Sequence, residues 1–255
     1  MLFQPAEENG WGARNVMAEK AIDNLNIDLV FALHNLPGFD IQNIVYKTGS
    51  FTSSVVSLAA NFKGYTAHAA EPWNGRNPAA AMSKYLLEAL TLNEDNKPAY
   101  ITVTPVYTLL GEKAYGISAG EGTVQLTIRA DTNQRLDDAL EKARSMAKKF
   151  AKEEELEVDF ELIEPFESNQ NDPDAVKIIE MAARELSMPM EEISEGFRFG
   201  EDFGIFTNVY PGAMFGIGAG KDCKPLHHPA YDYPDEITET GVKMFVTIHK
   251  KAQEI

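Results

Sequence analysis

Between Ser53 and Ile163 the apolar spacing alternates between a period of two and a period of 3.6, in the order strand, helix, strand, strand, helix, strand. Ser53 to Phe62 alternates through Val55, Ser57 and Ala59. Asn77-Pro78 opens a helix to about Leu92, Asn as cap and Pro at the first helical position. Ala99 to Leu109 and Gly122 to Asp131 are β-rich, the second with Val124, Leu126 and Ile128 alternating. Gln134 to Lys152 carries Leu136, Ala139, Leu140, Ala143, Met146, Ala147 and Phe150 on one helical face. Leu156, Val158, Phe160 and Leu162 then alternate with acids, as in a half-exposed strand. This β-α-β-β-α-β order is the split βαβ, ferredoxin-like arrangement and reads as an inserted domain.

The flanks have a different grammar. Gly12 to Asn24 reads as an amphipathic helix with Ala13, Val16, Met17 and Ala21 on one stripe. Asp28 to His34 is a short apolar run, expected to be a buried parallel strand. After Pro165, Asp172-Pro173 starts a helix to about Leu186, and Ala213 to Ile217 is a short strand. Gly218 to Asp235 is turn-rich, and a last helix from about Glu236 carries Val242, Phe245 and Ile248. The class is therefore α/β, with residues 1–52 and 165–255 forming one discontinuous domain interrupted by residues 53–164.

Composition narrows the function classes. A net charge of −16 argues against nucleic acid or an anionic membrane as partner. No apolar run approaches a membrane span, and the N-terminus lacks the basic-then-apolar pattern of a signal peptide. The one cysteine, Cys223, excludes an internal disulfide framework and fits a reducing compartment, so the expected location is cytoplasmic.

The chemistry gathers at turns. Met1-Leu2-Phe3 closes a strand-like stretch that Pro5 cannot continue, and Glu7 and Glu8 follow on the loop. Adjacent acids repel, so two that converge share a metal or a proton; otherwise they suit a helix N-terminus. His34 ends a strand, as a plain strand-end histidine or as a ligand, and His227 and His228 lie in the late loop. Glu8, His34 and His227 make a mixed oxygen and nitrogen set for zinc, or more loosely manganese, which leaves Glu7 as base. His68, in Gly64-Tyr65-Thr66-Ala67-His68-Ala69-Ala70-Glu71-Pro72, reads either as a loop histidine or as a donor to a developing oxyanion. Arg129, near a strand end, reads as a surface ion pair or as a bidentate carboxylate binder.

Five segments occur in a recognisable order: Phe3-Gln4-Pro5-Ala6-Glu7-Glu8, Ala32-Leu33-His34, Gly64 to Pro72, Glu201-Asp202-Phe203, and Leu226-His227-His228-Pro229-Ala230-Tyr231-Asp232. Together they resemble the aminoacylase and carboxypeptidase-like zinc metallopeptidase family, closest to its amidohydrolase branch of hippurate, N-acyl-amino-acid and auxin-conjugate hydrolases. The resemblance implies a catalytic α/β domain with a metal pair, interrupted by a ferredoxin-like lid that dimerises. It implies Glu7 as general base, Glu8, His34 and His227 as metal ligands, His68 as the lid histidine and Arg129 as the holder of the substrate carboxylate. It also implies a histidine and a bridging aspartate or cysteine upstream of Phe3, so the catalytic domain is expected to be incomplete at its N-terminus. Gly116 stands where the lid asparagine usually lies.

The expected function is metal-dependent cleavage of N-acyl amino acids or small peptides by a metal-activated water, with Glu7 as base. The expected partners are that small substrate, a second copy of the chain through the lid, and a chain supplying the missing segment. The alternative is a truncated, catalytically incomplete relative acting as a dimeric binding or structural module.

Overall fold

The computed structural model describes residues 1–19 and 22–254. In chain order the elements begin with α1 (Gly12–Ala18), β1 (Val30–Leu36), β2 (Ile44–Tyr46), β3 (Gly49–Thr52), β4 (Ser54–Lys63), β5 (Ala67–His68) and α2 (Ala79–Ala89). They continue with β6 (Glu94–Asn96), β7 (Ala99–Leu110), β8 (Ile117–Ser118), β9 (Glu121–Ala130), α3 (Asn133–Glu153) and β10 (Glu157–Phe166). The last are β11 (Asn169–Asn171), α4 (Pro173–Glu185), β12 (Met190–Glu192), α5 (Gly204–Thr207), β13 (Gly212–Gly218) and α6 (Glu236–Ala252). The fold is mixed α/β and separates into two compact units, Met1–Ser53 with Glu167–Ile255, and Ser54–Phe166. No described helix is long and apolar enough to cross a membrane.

In the unit Ser54–Phe166 five strands pair antiparallel in the order β10-β4-β9-β7-β6. Leu58 opposes Leu126 and Val56 opposes Ile128, so alternate residues of β4 and β9 point one way and meet α2 and α3. Leu136, Ala139, Leu140, Ala143, Ala147 and Phe150 are the buried face of α3. Thr132 begins that helix, its side chain accepting from the Arg135 backbone N–H. Leu162 shares the inward parity of Val158 and Phe160 yet is exposed, close to a register break after Ile163.

In the other unit a four-stranded sheet runs β1-β13-β2-β12. β1 is parallel to β13, β13 is antiparallel to β2, and β2 is parallel to β12. Helices α4 and α6 cover β13 and β2 through Ile178, Ile179, Ile237, Met244 and Phe215. Asp172 caps α4 by accepting from the N–H groups of Asp174 and Ala175, with Pro173 at the first position. A second cluster around Phe51, Ala13, Phe203, Phe206 and Met214 lies under the loops that carry the acids.

Three sequence expectations need correction here. Residues 1–4 are irregular rather than strand, with Met1 and Phe3 exposed: their backbone has no described ladder partner, and a strand exists only by pairing. The helix expected over Gly12–Asn24 stops at Ala18, and a 3-10 turn follows at Ile22–Asn24; Ala21 of the expected stripe lies outside the described residues. β1 is half-buried over most of its length, because β13 pairs only one of its edges.

Candidate metal centre

The loop after Pro5 is wound tightly. Ala6 sits in the left-handed region at φ 63°, Glu7–Asn9 form one 3-10 turn, and Gly10 closes it at φ 73°. The Ala6 carbonyl then accepts from the N–H of both Trp11 and Gly12, which starts α1. Gly12 is obligatory at this approach: a Cβ there would stand 2.4 Å from the Pro5 carbonyl oxygen and 2.8 Å from Asp202 Oδ2.

Asp202 holds this loop from the far end of the chain. Its carboxylate accepts from Gln4 Nε2 at 2.7 and 2.8 Å and from the Ala13 N–H at 2.7 Å. Asp202 is fully buried, and burial pushes its pKa up while these donors pull against the shift. Beside it, Glu201 is also buried. Among the described residues one group of three metal-type side chains converges, Glu7, Glu201 and Asp202, each offering a ligand atom within 4.8 Å of the others.

The electrostatics of the group follow from crowding. Burial first, then the charge and hydrogen bond of Glu201, raise the Glu7 carboxyl from 4.5 to about 7. His34 faces the same group, its Nε2 lying 3.2 Å from Glu201 Oε1. Its Nδ1 lies 2.6 Å from the Asn35 carbonyl oxygen, which can only accept, so Nδ1 carries the proton. Burial pulls His34 down, but Glu201 and the Asn35 carbonyl outweigh it, and the net shift is upward. Asn35 in turn donates to the Tyr231 hydroxyl, tying the end of β1 to the loop that carries His227.

The structure therefore brings Glu7 and His34 together, and joins them through Glu201. Glu8 is exposed and outside the converging group. His227 is exposed too, in the left-handed region at φ 62°. His68 and Arg129 belong to the other unit. His68 is exposed on β5 opposite Ile117, its Nδ1 accepting from the Ala70 N–H at 3.1 Å. Arg129 is half-buried on β9 between Val55 and Thr102, and burial lowers its pKa. Glu201 and Asp202 were visible in the sequence only as part of a motif. No periodicity marks them as buried, since they sit on a loop whose burial comes from the chain folding over it.

Carboxylate oxygens around an imidazole suit a divalent cation. Burial is the first cause of the raised Glu7 pKa and the neighbouring acids Glu201, Asp202 and Glu8 add to it, so a cation at this group would meet carboxylates with no other positive partner among those causes.

The sequence profile of peptidase family M20/M25/M40 matches residues 1–251. An N-acetyldiaminopimelate deacetylase of Listeria innocua serovar 6a is 24% identical over 250 residues, spanning 96% of this chain and 66% of the relative. An N-acetyl-L-cysteine deacetylase of Bacillus subtilis is 27% identical over 253 residues, spanning 95% of this chain and 56% of the relative. Among solved structures, the Bacillus subtilis YXEP protein, a dinuclear metal binding peptidase, superposes with a TM-score of 0.79 at 22% identity, covering 96% of this chain and 62% of that one. The chain thus spans somewhat under two thirds of the length of the relatives it matches.

Proposed function

The chain belongs to peptidase family M20/M25/M40, and on that premise we propose that it is a metal-dependent amidohydrolase of N-acyl amino acids or small peptides. The observation that carries the reading is the buried acid group beside His34, in which Glu7 titrates near neutral pH. The two deacetylase relatives support the substrate class.

We assign the cation, zinc or manganese, to Glu8, His34 and His227, with Glu7 left free. A bound divalent cation supplies Lewis-acid polarisation and a lowered water pKa. Glu7 takes the proton of the attacking water and returns it to the leaving nitrogen. The Asn35 carbonyl holds the His34 Nδ1–H, which sets the ring orientation and leaves Nε2, the nitrogen that faces Glu201 Oε1 at 3.2 Å, as the one to hold a cation. Asp202 holds the Gln4 to Ala13 segment, and with it Glu7.

His68 is assigned to the developing oxyanion and Arg129 to the substrate carboxylate, which its planar fork matches bidentately. We place the residues 53–164 as a lid that pairs two copies of the chain. The support is β7: beyond its short pairing with β6 over Ala99–Ile101, its outer edge carries exposed Val106, Tyr107, Leu109 and Leu110. A cytoplasmic setting fits the single cysteine.

The test is hydrolysis of N-acetyl amino acids by zinc- or manganese-loaded protein, with metal content measured on the same sample. Glu7→Gln should lower turnover by about 10²- to 10⁴-fold while metal content is unchanged. Full turnover in that variant would remove Glu7 from the chemistry.

A further inference from the structure

We propose that Thr207 and Asn169 are positioning residues for the metal centre, holding Glu201 and Asp202 in place through a polar brace, an inference that rests on the metal-dependent reading above. The brace is built on residues 167–171, where the chain re-enters the acid-bearing unit after the stretch Ser54–Phe166. Its strand, β11, pairs antiparallel with β3. Ser168 and Asn169 are fully buried and Asn171 nearly so. Amide and hydroxyl side chains bring little apolar area to a core, so what this strand contributes is hydrogen bonds.

The bonds run with a fixed sense. Asn171 Nδ2 donates to the carbonyls of Lys47 and Met214, both at 2.8 Å. Its Oδ1 accepts from the Met214 N–H at 2.8 Å and from Asn169 Nδ2 at 3.1 Å. Asn169 Oδ1 is thereby turned the other way, and the Thr207 hydroxyl donates to it at 3.0 Å. Reversing either amide would set like group against like, so both orientations are determined. The Thr207 hydroxyl also lies 3.2 Å from the Gly204 carbonyl oxygen, and its one proton is shared between the two. Met214 stands opposite Ala32 of β1, two residues before His34. Thr207 closes α5, which opens two residues after Asp202, and the Asp202 carbonyl accepts the Ile205 N–H at 3.0 Å. The brace therefore joins the neighbour strand of His34 to the helix that follows Glu201 and Asp202.

A second arm reaches the same place. Glu167 accepts from Arg14 Nη2 of α1 at 3.1 Å and from Asn208 Nδ2 just past α5. Arg14 follows Ala13, whose N–H is a donor to Asp202. Gly204 lets α5 lie against this strand: a Cβ there would stand 2.3 Å from the Glu167 carbonyl oxygen and 2.8 Å from that of Ser168. Glu7, Glu201 and Asp202 offer ligand atoms within 4.8 Å of one another, and like charges so close repel. Something other than the acids must keep Glu201 and Asp202 there before a cation arrives. Thr207, Asn169 and Asn171 do so with neutral groups that add no charge, and what they supply is preorganisation.

The experiment is calorimetric titration of the full metal-free chain with zinc, on samples whose folding is checked by circular dichroism. Thr207→Val keeps the shape, removes the hydroxyl and should weaken zinc binding by about ten-fold. Thr207→Ser restores the hydroxyl and should bind zinc within about two-fold of the unaltered chain. Thr127→Val removes a hydroxyl contact to Ser57 at 2.9 Å in the other unit and should also leave zinc binding within about two-fold. Unchanged zinc binding in a folded Thr207→Val, or an equal loss in Thr207→Ser, would overturn the positioning role and leave the brace as scaffold. If Thr207→Val does not fold, Glu167→Gln decides: it weakens the half-exposed arm to Arg14 and should weaken zinc binding by about five-fold, and an unchanged affinity overturns the proposal. Zinc affinity is read without substrate, so a chain that follows this pattern yet cleaves no N-acetyl amino acid overturns the amidohydrolase reading and keeps the brace. An unaltered chain that holds no zinc overturns both.

Discussion

The two units spend their buried space differently. The unit Ser54–Phe166 encloses long antiparallel strands and two helices around aliphatic side chains, and keeps its ion pairs, such as Lys63–Asp159 and Lys84–Glu154, at the surface. Of the buried polar residues described, only Ser54 lies there; Asn43, Thr52, Ser53, Ser168, Asn169, Asn171, Glu201, Asp202, Thr240 and Thr247 lie in the other unit. One unit is stabilised by burial of apolar area, the other carries buried charge whose cost depends on protons and cations. Solution conditions should therefore move the second unit and leave the first alone, while core truncation should do the reverse.

The largest break in that comparison comes from the apolar unit. Leu126→Ala empties a fully buried position between β4 and β7 and should destabilise this unit by about 2–5 kcal/mol. Hydrogen exchange should show the loss in β4, β7 and β9. Equal loss of protection in β1 and β13 would mean that the two units do not differ in the way described.

Gly12→Ala comes next. Its methyl would enter the space of the Pro5 carbonyl and Asp202, so strain of about 1–3 kcal/mol is expected. The damage should be confined to the acid-bearing unit, read as a lower melting temperature together with weaker zinc binding. A variant that melts lower but binds zinc as before would show that the Gln4–Asp202 clasp does not govern the centre.

pH sharpens the contrast with a smaller effect. Between pH 4.5 and about 7 the folded chain keeps a proton on Glu7 that the unfolded chain has released, so stability falls as pH rises through this window. His34, raised above its ordinary 6.5, is also more protonated when folded and acts in the same direction until pH passes its folded pKa. The total is on the order of 1 kcal/mol once solvent around a half-exposed carboxyl is allowed for. Added zinc should reverse it, raising the melting temperature more at pH 8 than at pH 5. A metal-free protein whose melting temperature rises from pH 5 to pH 8 would contradict the assignment.

The smallest effect is expected at Gly116. A Cβ there meets nothing within 4 Å, so Gly116→Asn should leave the melting temperature of the apolar unit within about 1 °C. A large loss would show that the loop beside His68 needs glycine for a reason other than space.

The same contrast explains what the sequence revealed. Val124, Leu126 and Ile128, or Leu136, Leu140 and Phe150, announce strand and helix because each points at one continuous core. β2, β3, β11 and β12 are three or four residues each, too short for a period to emerge. Within the site, Glu7 and His34 were legible as residue types, Glu7 beside a second acid and His34 following an apolar run, although β1 continues to Leu36. The role of Glu201 was not, because burial on a loop arises from contacts between distant segments. Glu8 and His227 were legible as residue types, yet both stand exposed and outside the converging acids.

Gln4 and Asp202 are 198 residues apart in the chain. At a ribosomal pace of about 5–20 residues per second, roughly 10 to 40 seconds separate the emergence of the first from that of the second. The uninterrupted stretch Ser54–Phe166 leaves the ribosome within that interval and has its whole core in hand before Glu201 exists. Glu7 and His34 wait in the nascent chain without the acid that later joins them. The clasp consequently works as a mark of completion: a chain released early keeps the apolar unit and lacks the closed group of acids.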